Sequence, residues 1–329
     1  MGRSKQISVG SRTDTLAGCY LERVLGALRE AHPQASFVDV CGTRASAKNA
    51  REKSAGRTCE CVTFDAAPGR KRQDGRKWPG ALIQKLVREE LDVAIMDARW
   101  IPLVLPPPVE IAAILERTNP FDVLISCEDL ILDEQPENTS IASSEPVKRG
   151  QLLYYRPDLK LVEASDDFED LVTSMNRAEI AGFVYPASDI EALNQQENVV
   201  EVFTTSICTP LAGQGALALL ARRDKKDVFT ILRHLNDPST AVEVELERMF
   251  LELVTKDGRG PVGVLCNVEA NEFEIEAAIA APDGSEKIIG GMSGHLADRA
   301  KVVGKLAGEL LQSGGGEIIA SFRKARVNG

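Results

Sequence analysis

Four acids stand within six residues at Ser165-Asp-Asp-Phe-Glu-Asp170: Asp166, Asp167, Glu169 and Asp170. Such a cluster suits an amine or guanidinium ligand, and it suits equally well the first turn of a helix, where carboxylates meet the positive end of the backbone dipole. Arg12 follows a short apolar segment and precedes an amphipathic one. A strand-to-helix junction of that kind gathers backbone N–H groups that favour anions, so a carboxylate is the natural ligand, with a plain surface arginine as the alternative. Lys148-Arg149 adds a second cationic pair. Acids in one place and cations in others point to a small ligand carrying both a cationic and a carboxylate group. The basic run Arg70-Lys71-Arg72 and Arg76-Lys77 is either a solvated loop or a contact for an anion.

Other chemistries are excluded. The cysteines at 19, 41, 59, 61, 127, 208 and 266 are scattered, Cys59-Glu60-Cys61 is not a C-x-x-C pair, and His32, His234 and His295 are the only histidines. Four converging N/S ligands are not in evidence, so no metal site is expected and the thiols read as reduced, in a cytoplasmic protein. Ala212-Gly-Gln-Gly-Ala216 lacks the Gly-Lys-Ser/Thr of a phosphate loop. A net charge of −10 argues against nucleic acid. No run approaches the length of a membrane span, so neither a membrane partner nor a secretory signal is expected.

The elements that must position these groups alternate along the chain. A strand at 7–10 leads to a helix from Thr15 to Ala31, with an apolar stripe of Ala17, Leu21, Val24, Leu25 and Leu28. A strand at Ser36–Cys41, a polar stretch at 44–78, a helix at Ala81–Glu90 and a buried strand at Leu91–Met96 follow. Strand–helix–strand alternation of this kind signals a mostly parallel α/β sheet. Leu105-Pro106-Pro107-Pro108 is a candidate hinge. Further strands are expected at Val123–Ser126, Thr139–Ala142, Leu159–Ala164 and Gly182–Tyr185. A long helix from Thr240 to Val254 precedes a small α+β region with strands at Val262–Cys266, Phe273–Ile279 and Lys287–Ile289 and a helix near 296–312. Ser313-Gly314-Gly315-Gly316 reads as a helix stop before a final strand.

Several segments, in order, resemble hydroxymethylbilane synthase (porphobilinogen deaminase). They are Val9-Gly-Ser-Arg12, Asp92-Val-Ala-Ile95, Ile111-Ala-Ala-Ile-Leu-Glu-Arg117, Arg156-Pro-Asp-Leu159, Ala212-Gly-Gln-Gly-Ala216, Glu247-Arg-Met-Phe-Leu251 and Ala281-Pro-Asp-Gly-Ser285. The resemblance implies an α/β protein of three domains: two periplasmic-binding-protein-like α/β halves with hinge strands, and a small C-terminal α+β domain. The corresponding boundaries are 1–105 with 202–224, then 106–201, then 225–329. It implies a monomer, with an active cleft between the halves.

The resemblance also marks departures. The family's cofactor cysteine, which carries a covalent dipyrromethane, falls at Gly258, so the cofactor is expected to be absent. The family's H-S-x-K-D-V-P stretch reads Met96-Asp97-Ala98-Arg99-Trp100-Ile101-Pro102. The catalytic Asp position is thus Trp100, either a packing residue or an aromatic wall for a planar or cationic substrate. Asp97 is the carboxylate left nearby to act as acid/base or cation stabiliser, if the backbone turns there. Arg12, Arg99, Lys148 and Arg149 are expected to bind a carboxylate. Asp166, Asp167 and Glu191 fall in segments where the family carries basic residues, and with Glu145, an acid also new here, they turn that part of the site acidic. Three functions follow. The first is an enzyme repurposed for natural-product metabolism, forming a C–C or C–N bond on an amino-acid- or peptide-like substrate through a stabilised cation. The others are a non-catalytic ligand-binding protein and a hydroxymethylbilane synthase with an unusual site.

Overall fold

The computed structural model describes residues 6–12, 14–40 and 78–328; the basic run at 70–77 and Cys41, Cys59 and Cys61 lie outside them. The chain begins β1 (Gln6–Gly10), α1 (Thr15–Ala31), β2 (Ser36–Asp39), α2 (Trp78–Val87), β3 (Val93–Asp97) and β4 (Val109–Ile114). It continues β5 (Asp122–Ser126), β6 (Ser140–Ala142), α3 (Pro146–Tyr155), β7 (Lys160–Val162), α4 (Phe168–Asn176), β8 (Gly182–Pro186), α5 (Ala187–Ala192) and β9 (Glu201–Val202). The last part holds β10 (Leu217–Arg222), α6 (Lys226–Arg233), α7 (Pro238–Thr255), β11 (Val262–Glu269), β12 (Glu272–Ala280), β13 (Lys287–His295), α8 (Arg299–Leu310) and α9 (Gly316–Asn328).

Two compact units result: Met1–Glu116 with Ala216–Ala241, and Arg117–Gly215 with Val242–Gly329. The first is built on a sheet of order β2-β1-β3-β10-β4, in which β1, β2 and β3 run parallel and β10 is antiparallel to both its neighbours. The second contains β7-β6-β8-β5-β9, where β6, β7 and β8 run parallel and β5 is antiparallel to β8 and β9. The two sheets therefore share one plan, as expected of two similar α/β halves. Central strands such as β3 and β8 are buried along nearly their whole length, which is why they read as continuous apolar runs. Asp14 starts α1 by accepting the Ala17 N–H at 2.8 Å, and Leu21, Val24, Leu25 and Leu28 face the core.

The second unit also holds the small C-terminal part, an antiparallel β11-β12-β13 sheet. Phe250 of α7, Leu306 and Leu310 of α8 and Ile318 and Ile319 of α9 pack with Val264, Ile275 and Ile279 in one core. The expected final strand is corrected: residues after Gly316 form α9. Gly314, at φ +117°, breaks the helical path as foreseen, but the chain resumes as a helix because Ile318 and Ile319 turn into the core while Arg323 reaches the carbonyl of Thr255.

Glu247 of α7 is wholly buried and joins four segments of this unit. It accepts hydrogen bonds from Arg117 Nη1 at 2.6 Å, Arg117 Nη2 at 3.2 Å, Gly213 N at 2.6 Å and Cys266 N at 2.9 Å. Burial works against the charge of Arg117, but Glu247 and Glu243 more than offset it, and the guanidinium titrates above its ordinary value. Gly215 sits beside this knot at φ +83°, where a Cβ would lie 3.0 Å from the carbonyl oxygen of Thr118, so both backbone conformation and space favour glycine.

Candidate functional site

In α/β sheets, ligating groups collect beyond the carboxyl ends of the parallel strands. The first unit places the expected residues there. Gly10, the last residue of β1, pairs with Ala94 of β3, which runs on to Asp97, so the residues that follow both strands lie beyond the carboxyl end of one sheet. After β1 come Ser11, Arg12 and Asp14; Arg12 Nε donates to Asp14, and both side chains are largely covered. After β3 the backbone makes a single 3-10 turn over Ala98–Trp100, capped by Asp97. This is the turn that lets Asp97 and Trp100 share a neighbourhood.

Asp97 and Arg99 pair with one another. Asp97 Oδ1 accepts the Arg99 backbone N–H at 2.9 Å, and Oδ2 accepts Arg99 Nε at 2.9 Å together with Arg99 Nη2. The guanidinium carbon of Arg99 also lies 5.8 Å from the centre of the Trp100 ring. A carboxylate held by one edge of a guanidinium and by a backbone N–H is a fixed negative acceptor, and the indole beside it supplies a flat apolar wall.

The second unit repeats the plan with different chemistry. Beyond β6, Ser143 is 1% exposed and its hydroxyl has no hydrogen-bond partner in the polypeptide. Glu145 is the N-cap residue of α3 but makes no side-chain cap bond. Lys148 turns inward and is buried, with its Nζ 2.6 Å from Asp122 Oδ1. Arg149 stays near the strand end, where Nη1 donates to the Ser143 carbonyl at 3.0 Å and Nη2 lies 3.6 Å from Glu163. Beyond β7, Asp167 caps α4 by accepting the N–H groups of Glu169 at 3.0 Å and Asp170 at 3.2 Å. Asp166 is held through its carbonyl by the Tyr185 hydroxyl at 2.9 Å. Glu191 lies half-buried on α5. The helix-start role of the 165–170 acids is therefore filled, in one of the two ways the sequence allowed.

Some residues here escaped the sequence reading. Asp122 is fully buried and collects Lys148, Gln214 Nε2 at 3.1 Å and the Cys208 thiol at 3.7 Å. Asp189, buried at the start of α5, accepts from Ser188 Oγ at 3.2 Å. An acid opening β5 was the available signal for Asp122, and an acid in the first turn of the helix after β8 for Asp189. Gly258 lies in the loop after α7 at φ +74°, with its N–H donating to Thr255 Oγ1 at 2.9 Å. Among the described residues no group of three or more His, Cys, Asp or Glu could hold a metal ion, and no helix is long and apolar enough to cross a membrane.

A sequence model described as "Porphobilinogen deaminase, dipyromethane cofactor binding domain" matches residues 7–230. The chain belongs to the porphobilinogen deaminase family. A porphobilinogen deaminase of Syntrophomonas wolfei is 30% identical over 241 residues, 73% of this chain and 79% of that one. One of Pelotomaculum thermopropionicum is 28% identical over 320 residues, 97% of this chain and 98% of that protein. Among solved structures, a TRAP periplasmic solute binding protein from Desulfovibrio salexigens aligns with a TM-score of 0.41 at 9% identity, over 70% of this chain and 72% of that one.

These findings correct the expectation that dipyrromethane is absent. The matched domain of the porphobilinogen deaminase family is the one that binds this cofactor, and it covers the strand ends of both sheets. Within the second unit the donors suit a carboxylated arm of such a group: Arg149 and the orphan Ser143 hydroxyl beyond β6. The expectation rested on Gly258 alone, which lies outside the matched stretch. That loop supplies no sulfur, so a thioether at position 258 does not fit.

Proposed function

We propose that this chain acts on aminomethylpyrroles in tetrapyrrole biosynthesis, as a hydroxymethylbilane synthase (porphobilinogen deaminase). The observation that carries this reading is correspondence with a porphobilinogen deaminase over 97% of this chain and 98% of the relative. The strand-end groups supply a consistent chemistry. Loss of ammonia from an aminomethylpyrrole breaks a C–N bond and leaves positive charge on the pyrrole nitrogen. A fixed carboxylate stabilises that charge as it develops. Asp97 is held as such an acceptor by Arg99, which suits it to cation stabilisation better than to proton donation. Trp100 offers its ring face to a planar cation, and Arg12 of the same unit offers a cation to an acetate or propionate arm. Attack by the free α-carbon of a second pyrrole, followed by loss of its proton, completes the C–C bond.

The test is consumption of porphobilinogen, read as ammonia released and as uroporphyrin absorbance after oxidation. Asp97→Asn keeps the shape and removes the charge; the expected loss in kcat is about 100-fold or more, the scale of a single electrostatic stabiliser. Unchanged turnover in that variant would remove Asp97 from the mechanism.

A second reading is favoured by Trp100, which stands where the resemblance expects the catalytic Asp. Here the same strand ends serve an enzyme of natural-product metabolism. It forms a C–C or C–N bond on a small mixed-charge, amino-acid- or peptide-like substrate through a quinone-methide-like cation. Absence of ammonia release from porphobilinogen, with turnover of such a substrate, would select it.

A further inference from the structure

The loop after α7 is tightly tied. Thr255 is fully buried; its hydroxyl accepts the Gly258 N–H at 2.9 Å, and its carbonyl is held by Arg323 of α9. A Cβ at Gly260 would lie 2.7 Å from Thr255 Cγ2, and Gly258 itself sits at φ +74°, a conformation that side chains rarely adopt. The turn is built for glycines.

Among the described residues, the thiols elsewhere are poorly placed to replace it. Cys208 and Cys266 are 0% exposed, the first against Asp122 and the second inside β11 beneath Glu247. Burial pushes both thiols up, with the neighbouring carboxylates adding to it. Cys19 is raised by burial and by Glu22, and Cys127 by burial and by Glu128. The thiolate is the nucleophile in thioether chemistry, and acidic neighbours disfavour it. Yet the matched domain is a dipyrromethane-binding one, and a receptive group is present: the buried, unpartnered Ser143 hydroxyl just before the ten-residue helix α3, with Arg149 close by.

We propose that this chain holds its pyrrole group without a covalent bond, through cations and hydrogen bonds to the carboxylated arms. This rests on the tetrapyrrole reading above. The consequence is a dissociable ligand whose retention depends on salt, because exposed ion pairs are screened within a few ångströms at molar ionic strength.

The experiment uses the full chain and porphobilinogen as the probe. Protein incubated with porphobilinogen is desalted and divided. One part is measured by native mass spectrometry, one by intact mass after acid denaturation, and one by pyrrole colorimetry after washing in 1 M NaCl. The expected result is an added pyrrole mass in the native protein, a polypeptide of unmodified mass after denaturation, and about tenfold less pyrrole per chain after the salt wash. Pyrrole that stays on the denatured polypeptide overturns the proposal, as does a native protein that retains none. Ammonia release, followed in parallel, separates the two claims. Turnover with a covalent adduct sinks only the non-covalent link; reversible retention without turnover sinks only the functional reading.

Discussion

The two sheets share a parallel-to-antiparallel pattern, yet they manage charge in different ways at their strand ends. In the first unit the covered pairs beyond β1 and β3 are local, Arg12 with Asp14 and Arg99 with Asp97, two residues apart in each case, while its long-range pairs, Lys225 with Glu89 and Arg223 with Glu110, are more exposed. In the second unit the buried pairs reach far along the chain: Lys148 to Asp122 across 26 residues and Arg117 to Glu247 across 130. A local pair can form without the rest of the fold and holds little of it together. A distant pair forms only when separate segments have met, and then fixes their meeting. The shared topology sets where side chains can converge; the pairing range decides whether they serve the site or the scaffold. On this view the first unit keeps its charges for chemistry, and the second commits most of them to structure.

The strongest way to break the comparison is Glu247→Ala. It removes the bidentate partner of the Arg117 guanidinium, leaving Glu243 at 3.6 Å as its carboxylate, and removes the acceptor of two backbone N–H groups, at Gly213 and Cys266. Removing one partner of a buried pair costs about 3–5 kcal/mol, and chemical denaturation should show a loss on that scale. A loss under about 1 kcal/mol would mean that the knot is not structural.

Asp122→Ala should come next, at roughly 3 kcal/mol, since it leaves Lys148 charged and buried. Asp122→Ala together with Lys148→Met removes both charges and should recover much of that loss, because a buried ion pair is often replaceable by apolar groups. Asp97→Ala in the first unit should cost far less stability while reducing turnover. If Asp97→Ala destabilised the chain as strongly as Asp122→Ala, the division between site and scaffold charges would fail.

This division also explains what could be read from the sequence. The α/β alternation, the long helix α7 and the small C-terminal sheet follow from apolar periodicity, and the family from ordered motifs. β4 was hidden because Val109-Glu-Ile-Ala-Ala-Ile114 is buried along much of its length and lacks two-residue alternation. The local pairs were nearly legible, since Asp97 and Arg99 stand two apart. The distant ones were not: Lys148 reads as a ligand-binding cation until the fold brings Asp122 to it. Glu247 is part of a recognised motif, but its four donors come from segments whose meeting only the fold supplies. α9 was missed because two isoleucines after a glycine run suit a strand start as well as the buried face of a helix.

The finest discrimination comes from the two helix caps. Asp14 caps α1 in the first unit, and Asp167 caps α4 in the second. Each satisfies amide groups that would otherwise lack a partner within the helix, so replacement by Ala should cost about 1 kcal/mol in either case. Their surroundings differ. Asp14 also holds Arg12, so Asp14→Ala removes one partner of that guanidinium and should change the KM for a carboxylated substrate as well as stability. Asp167 is bound to its own helix start and to Ser165, so Asp167→Ala should lower the denaturation midpoint and leave KM and kcat alone. Measured side by side, equal stability losses with a KM change confined to Asp14→Ala would support a first-unit site built on local pairs. A KM change in Asp167→Ala instead would return the acids of 165–170 to the site, and the ligand would then have to carry a cation.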